Sequence, residues 1–226
     1  MLIAAAVCPH PPVLFPEVAQ GAAPDLEALR DACDRAVGGL GASGADRLYV
    51  VGPGPGERRH GRDAGGGLDD YGVALRVGPR PGVLDLAATA GRWLAERSGL
   101  TPDGYQEVAP ETAPERAAEL GAALAGEGDR VALLVMGDGS ARRAERSPGY
   151  VDERALPYDD AVAEALAEAD AAHLAGLEPA LARELMVAGR PAWQVLAGAV
   201  GERPLTGDLL AYEAPYGVGY FVAAWS

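Results

Sequence analysis

Short apolar stretches that end at glycine or proline alternate along the chain with longer segments of helical periodicity. The apolar stretches cover residues 2–7, 47–51, 73–77, 131–136 and the C-terminal segment 209–225. Continuous apolar runs bounded by turn-forming residues are typical of strands that are covered on both faces of a sheet. The C-terminal segment predicts two strands, because the turn sequence Ala-Pro-Tyr-Gly at residues 214–217 divides it.

Between the predicted strands, apolar residues recur at the spacing of one helix face. A proline and an aspartate at positions 24 and 25 open the first such segment. Its apolar positions follow at intervals of three or four residues: Leu26, Leu29, Cys33 and Val37. Further helices are predicted for residues 84–98, for a segment that begins at Pro114, and for residues 159–169, 179–188 and 191–199. Prolines begin the last two, because proline is tolerated in the first turn of a helix but not in its interior.

Strands that alternate with helices indicate an α/β fold. We predict a central, mostly parallel or mixed sheet flanked by helices on both faces, with an antiparallel strand pair at the C-terminus. No linker, repeat or change of composition divides the chain, so we predict a single domain over residues 1–226. The glycine-rich stretch at residues 52–67 is interpreted as a long loop that follows a strand.

The net charge of the chain disfavours some classes of binding partner. It carries 33 acidic and 19 basic residues, a formal net charge of −14, and every basic residue is arginine. Such a chain is a poor match for nucleic acid or for an anionic membrane surface. No apolar run approaches the ~20 residues of a membrane span. Two cysteines, Cys8 and Cys33, are too few for a disulfide framework. We therefore predict a cytoplasmic protein, and the sequence leaves a homo-oligomer open.

Candidate chemistry lies where predicted strands end, since open α/β sheets bind ligands beyond the carboxyl ends of their strands. The first strand is followed by Cys-Pro-His-Pro-Pro at residues 8–12. The flanking prolines restrict the backbone around His10, which suits a metal ligand or a general base. The alternative is a histidine that packs against the prolines and bonds a carbonyl.

Two other strand ends also carry polar residues. After the second strand, Pro53 and Pro55 remove backbone donors that a phosphate loop needs, and an arginine-rich segment that contains His60 follows. This segment either faces an anionic ligand or is simply solvated. After the strand at 131–136, Asp138 supplies a carboxylate and Ser140 a hydroxyl. Ser140 needs a nearby base to act as a nucleophile, and Asp138 is equally suited to capping a turn.

Several of these segments together resemble a known family. The opening strand with Cys-Pro-His-Pro-Pro resembles the start of the class III extradiol ring-cleavage dioxygenases, a superfamily that includes the catalytic subunit of protocatechuate 4,5-dioxygenase. The resemblance continues in order at residues 46–53, 137–143, 158–162, 188–193 and 212–220. It spans nearly the whole chain, and it implies the α/β fold of that family.

The resemblance also implies a cofactor. In the family, two histidines and a carboxylate hold Fe(II), and a further histidine acts as acid and base. His10 matches the first ligand, whereas Gly54 stands at the second histidine, Ala192 at the carboxylate and Ala141 at the acid–base histidine. The cofactor is therefore unknown, with Fe(II) implied by resemblance alone. His60 is a weak candidate for a replacement ligand, and Asp138 would then supply the carboxylate.

We interpret the chain as a divergent extradiol dioxygenase-like protein with a degenerate Fe(II) site, acting on or binding a small anionic or aromatic molecule. Its predicted catalytic residues are His10, Asp138 and Ser140. Its predicted substrate-binding residues are Arg142, Arg143 and Tyr216. The alternative is a non-catalytic binding or assembly module of the same fold, and the inherited family reaction is ring cleavage by non-haem Fe(II). We expect His10, Gly54, Ser140 and Ala192 to converge around one cleft.

Overall fold

The computed structural model describes residues 1–80, 82–201 and 204–226. The strands that it shows are β1 (Leu2–Cys8), β2 (Arg47–Pro53), β3 (Arg58–Gly61), β4 (Gly66–Leu68), β5 (Val73–Val77), β6 (Gly104–Val108), β7 (Val131–Met136), β8 (Gly207–Glu213) and β9 (Tyr220–Trp225). The α-helices are α1 (Pro16–Ala19), α2 (Glu27–Ala42), α3 (Leu86–Arg97), α4 (Pro114–Ala125), α5 (Ala155–Glu168), α6 (Ala171–Ala175), α7 (Pro179–Glu184) and α8 (Arg190–Val200). Short 3₁₀ turns cover Pro12–Leu14, Gln20–Leu26 and Asp69–Tyr71.

Seven of these strands form one mixed sheet in the order β3-β6-β2-β7-β1-β9-β8. The four strands from β6 to β1 are parallel, whereas β3 and β9 run antiparallel to their neighbours. The last two strands form the expected antiparallel pair. The structure therefore confirms the predicted α/β fold class.

Alternate residues of the central strand β7 face two different layers of helices. Val131, Leu133 and Val135 belong to a core with helices α4, α5 and α8. The other three residues of β7 belong to a second core, to which α2 and α3 contribute. All six β7 side chains have 0% exposed surface, as expected for a strand that is covered on both faces.

The prediction that residues 52–67 form a long loop was wrong. This stretch contains β3, which pairs with β6 at the edge of the main sheet, and β4, which pairs with β5 in a separate two-stranded sheet. The polar sequence of β3, Arg-Arg-His-Gly, carries no apolar alternation. Pairing with the neighbouring strand, and not side-chain burial, makes these residues extended.

Other elements also differ from the sequence prediction, and the helix expected over residues 159–169 begins at Ala155. Strand β6 was not predicted, because its Gln106 and Glu107 interrupt the apolar pattern although both are buried in the structure. The helix expected over residues 179–188 ends at Glu184, and Met186 beyond it has a φ of +55°. Within the described ranges, none of the helices is both long and apolar enough to cross a membrane.

Truncation of one buried side chain in the central strand β7 tests this packing. We expect Leu133→Ala to lower the free energy of unfolding by about 3 kcal/mol, because the fully buried side chain leaves a cavity between β7 and the helices. Leu156→Ala is the matched control, since Leu156 is 49% exposed. Urea denaturation of both variants measures the difference. Equal losses in the two would contradict the assignment of Leu133 to the core.

Candidate functional site

The carboxyl ends of β1 and β7 bring His10 and Asp138 together. The two strands are parallel neighbours in which Cys8 lies opposite Met136, so the residues two positions beyond each strand meet. The backbone N–H of His10 donates to Asp138 Oδ1 at 2.8 Å. The imidazole Nδ1 lies 3.4 Å from the same oxygen. Two of the three predicted catalytic residues therefore form one pair.

The surroundings of Asp138 and of the nearby Tyr220 favour the protonated forms of these two groups. Burial raises the pKa of Asp138 above its ordinary value, and the nearby His10 opposes part of that shift. Burial and the neighbouring Asp138 carboxylate also raise the pKa of the Tyr220 phenol. A carboxyl group that holds its proton more tightly than usual is chemically suited to proton transfer with a bound ligand.

A cleft of about 390 Å³ opens beside Asp138. Most of its wall is apolar or aromatic, and it draws on the loops after β1 and β7, the segment before α8, and the turn between β8 and β9. Residues that characterise it are Asp138, Arg146, Met186, Ala188, Tyr216 and Tyr220. The exposed Arg146 makes no ion pair with any residue that the structure describes. The cleft therefore combines an aromatic wall, a carboxyl group and a cation available to a ligand.

Ser140 is close in sequence to Asp138 but does not face this cleft. It has 0% exposed surface, and its hydroxyl donates to the carbonyl oxygen of Leu185 at 2.7 Å. The same hydroxyl accepts from the backbone N–H of Arg142, and the Ser140 N–H donates to Asp159. All these bonds shape the loop after β7, so the geometry favours a structural role for Ser140.

Of the predicted substrate-binding residues, Tyr216 lines the cleft and the two arginines do not. Arg142 donates to two backbone carbonyl oxygens, at 2.8 Å each. Arg143 lies 3.4 Å from Asp159 and 4.9 Å above the ring of Tyr212. Both guanidinium groups therefore hold neighbouring segments together.

Asp159 supports the floor of the site from α5. Its carboxylate accepts from the Ser140 N–H at 2.9 Å and packs directly against Gly139 and Gly219, where any Cβ would collide with it. The loop after β7 and the turn before β9 thus meet on one carboxyl group. Burial raises its pKa from 3.8 to about 7, although the Ser140 N–H and Arg143 oppose the shift.

The family's iron site has no counterpart in the side chains present. A Cβ at Gly54 would lie 2.8 Å from the Cβ of Glu107, so this position offers neither a donor nor room for one. Ala192 lies on α8, has 0% exposed surface and belongs to the core between this helix and the sheet. Across residues 1–80, 82–201 and 204–226, no group of three or more His, Cys, Asp or Glu side chains could hold a metal ion. These residues do not fit two histidines and a carboxylate around Fe(II).

His60 does not complete such a site. It lies on β3, which is separated from β1 by three intervening strands, or roughly 19 Å at about 4.8 Å per strand. Its Nε2 instead faces Oε2 of the fully buried Glu107 at 3.3 Å. The structure therefore brings together His10 and Asp138, with Ser140 behind them, and leaves His60 and Gly54 with Glu107.

The sequence analysis did not identify four residues that line the cleft or contact the candidate site residues. Glu107 lies in an unpredicted strand, and Tyr220 reads as an ordinary strand residue. Arg146 carries no signal of its own, because arginine is the sole basic residue type and occurs nineteen times. Asp159 lies in one of the segments of family resemblance, which is the signal that could have identified it.

Comparison with known proteins supports the fold. No protein-family model and no curated protein matches the chain. Among solved structures, the chain is similar to one described as "Crystal structure of uncharacterized protein JW3007 from Escherichia coli K12", with a TM-score of 0.60. The two are 11% identical, and the match covers 99% of each chain. At this identity the likeness concerns the fold alone, so the resemblance to extradiol dioxygenases stays a prediction.

The raised pKa of Asp159 predicts how stability depends on pH. Because the folded chain binds this proton more tightly than the unfolded chain, stability falls as pH rises from about 4 to about 7. We expect Asp159→Asn to remove that component, on the order of 2–4 kcal/mol. Glu164→Gln is the control, since Glu164 is exposed on the same helix and forms no ion pair with any residue that the structure describes. Urea denaturation between pH 4 and 8 measures the free energy of unfolding of each variant. If this free energy depends on pH in the same way in the wild type and in Asp159→Asn, the raised pKa of Asp159 is refuted.

Proposed function

We propose that this protein is a divergent extradiol dioxygenase-like protein that binds a small, anionic aromatic molecule in the cleft beside Asp138. The observation that carries the proposal is the composition of that cleft at the carboxyl edge of the sheet. Ligand sites in open α/β folds occupy this edge, and clefts of about 300–1,000 Å³ hold small molecules. The volume of about 390 Å³ suits a ligand with one ring.

The lining groups argue for the class of ligand. Tyr216 and Tyr220 offer aromatic surface to a planar ring. Arg146 offers a planar guanidinium that matches a carboxylate in two parallel hydrogen bonds. A ring that carries a carboxylate satisfies both, because the ring covers the apolar wall while the charge stays near the open side.

Asp138 is the group in this cleft best placed to exchange a proton with the ligand. It lines the cleft, whereas His10 contacts it from behind through the backbone N–H and the imidazole. Asp138 is therefore the proposed catalytic acid–base, and His10 is a positioning residue that biases its proton affinity. This proposal uses no iron, since the side chains present do not fit the family's metal site.

A non-catalytic binding module is the second candidate. Of the described residues that line the cleft, none is a serine, threonine or cysteine, and the Ser140 hydroxyl is committed to Leu185. The cleft therefore presents no aliphatic hydroxyl or thiol nucleophile to a ligand, and its hydroxyl groups are the phenols of Tyr216 and Tyr220. A bound ligand that is recovered unchanged, as shown by mass spectrometry, supports the module, and a converted ligand supports the enzyme.

A titration with benzoate tests the proposed site. We expect a Kd on the order of 1 mM, because a ligand of this size gains only a few kcal/mol on binding. Ala188→Trp should abolish binding, since the exposed Ala188 lines the cleft and a larger side chain fills it. Ala180→Trp is the control on exposed surface outside the cleft. Ligand-detected NMR measures both, and equal binding by wild type and Ala188→Trp would overturn the site.

The contribution of charge can be separated in the same titration. Arg146→Gln should weaken benzoate binding about fivefold, as expected for a partly exposed ion pair worth about 1 kcal/mol. Arg35→Gln, on the exposed surface of α2, removes the same charge at a distance. An equal effect of the two variants would show that Arg146 does not contact the carboxylate.

Reconstitution with Fe(II) tests the loss of the family's metal site. We expect protein loaded with Fe(II) without oxygen to retain little iron after desalting, and to leave protocatechuate and simple catechols uncleaved. One imidazole and one carboxylate provide too few ligands for tight binding. Iron analysis and the absorbance of ring-cleavage products measure the outcome. Stoichiometric iron together with an opened catechol ring would restore the inherited family reaction.

A further inference from the structure

A second, larger cavity adjoins the cleft. Its volume is about 790 Å³, and Pro148 and Met186 line both spaces. Tyr150 and Val151 line the second cavity and not the cleft. The two spaces therefore share the Met186 side chain as a common wall.

Met186 occupies a backbone position that favours glycine. It follows the C-terminal cap of α7 with a φ of +55°, in the left-handed region that commonly ends helices and that side chains with a Cβ disfavour. Met186 nevertheless lines both spaces and is 47% exposed, and a Cβ at Gly149 would lie 2.7 Å from its sulfur. Methionine is the side chain that adapts most readily to a variable apolar partner.

Part of the wall of the second cavity is apolar and open to solvent, beside the polar residues Arg142, Glu145 and Ser147. Tyr150 is 89% exposed and Val151 is 53% exposed. The backbone that carries them is held in place, because Arg142 donates to the carbonyl oxygens of Tyr150 and Glu184 at 2.8 Å each. Neighbouring apolar side chains that are anchored yet uncovered, at the rim of a ligand cleft, are suited to cover the apolar part of that ligand.

We propose that the cleft and the second cavity form one elongated site, which takes an aromatic carboxylate extended by a second apolar group. This inference rests on the proposed function and names its substrate class. The carboxylate end lies by Arg146, the first ring lies against Tyr216, and the extension passes Met186 to contact Tyr150 and Val151. Arg142, predicted to bind substrate, lines the second cavity and holds the backbone of its wall through the carbonyl oxygen of Tyr150.

A comparison of two probes tests the elongated site. We expect 4-phenylbenzoate to bind about tenfold more tightly than benzoate, because its second ring removes additional apolar surface from water. The double variant Tyr150→Ser with Val151→Ser should reduce this affinity ratio to about one. Leu156→Ser is the control, since Leu156 is an exposed apolar residue that lines neither space. Ligand-detected NMR competition measures the ratios.

A variant at Met186 shows whether this side chain contributes to the affinity ratio of the two probes or to the stability of the protein. Met186→Gly should leave the Tm unchanged or higher, because glycine relieves the left-handed backbone strain, and should lower the affinity ratio at least threefold. A lowered Tm with an unchanged ratio would assign Met186 to packing and overturn its proposed role.

The outcomes distinguish this inference from the function on which it rests. Benzoate binding without a gain for 4-phenylbenzoate overturns the elongated site and leaves the proposed function standing. A gain that Leu156→Ser reduces as strongly as the double variant also overturns it. Binding of neither probe overturns the proposed function and the elongated site together.

Discussion

Complete burial of β7 between two parallel neighbours is the constraint on which the rest of this structure depends. Each of its six side chains is inaccessible, and alternate ones serve the two helical layers. Because β1 and β2 pair with opposite edges of β7, its position aligns the carboxyl ends of all three strands. The pairing that builds the core therefore also sets where His10 and Asp138 meet.

Beyond the strand ends, buried polar groups replace apolar packing as the source of order. Asp159 joins the loop after β7 to the turn before β9, and it needs glycine at both contact points. Ser140 and Arg143 complete the same arrangement through their bonds to Leu185 and Asp159. A carboxyl group buried in this way binds its proton tightly, so the stability of this arrangement depends on pH.

Two histidine–carboxylate pairs lie near the ends of different strands of the main sheet. The pair of His10 and Asp138 borders the cleft, and the pair of His60 and Glu107 does not. His10 with Asp138 follows the central strands, whereas His60 with Glu107 lies at the far side of the sheet. Glu107 fills the space beside Gly54, the position at which the family resemblance implies a histidine. Packing between Glu107 and the backbone of Gly54 therefore occupies the place where that resemblance would put a metal ligand.

The sequence by itself determined the fold class and most of the elements, because apolar periodicity and the prolines report directly on burial and helix starts. It also identified His10 and Asp138, since both follow apolar strands that form the centre of the sheet. Strands β3 and β6 needed the tertiary structure, because pairing and buried polar groups stabilise them instead of an apolar pattern. Only the structure decided that Ser140 and Arg142 shape loops and that Arg146 borders the cleft. Side-chain direction in an irregular loop depends on contacts with distant segments, such as Leu185 and Tyr150, and local sequence does not encode those contacts.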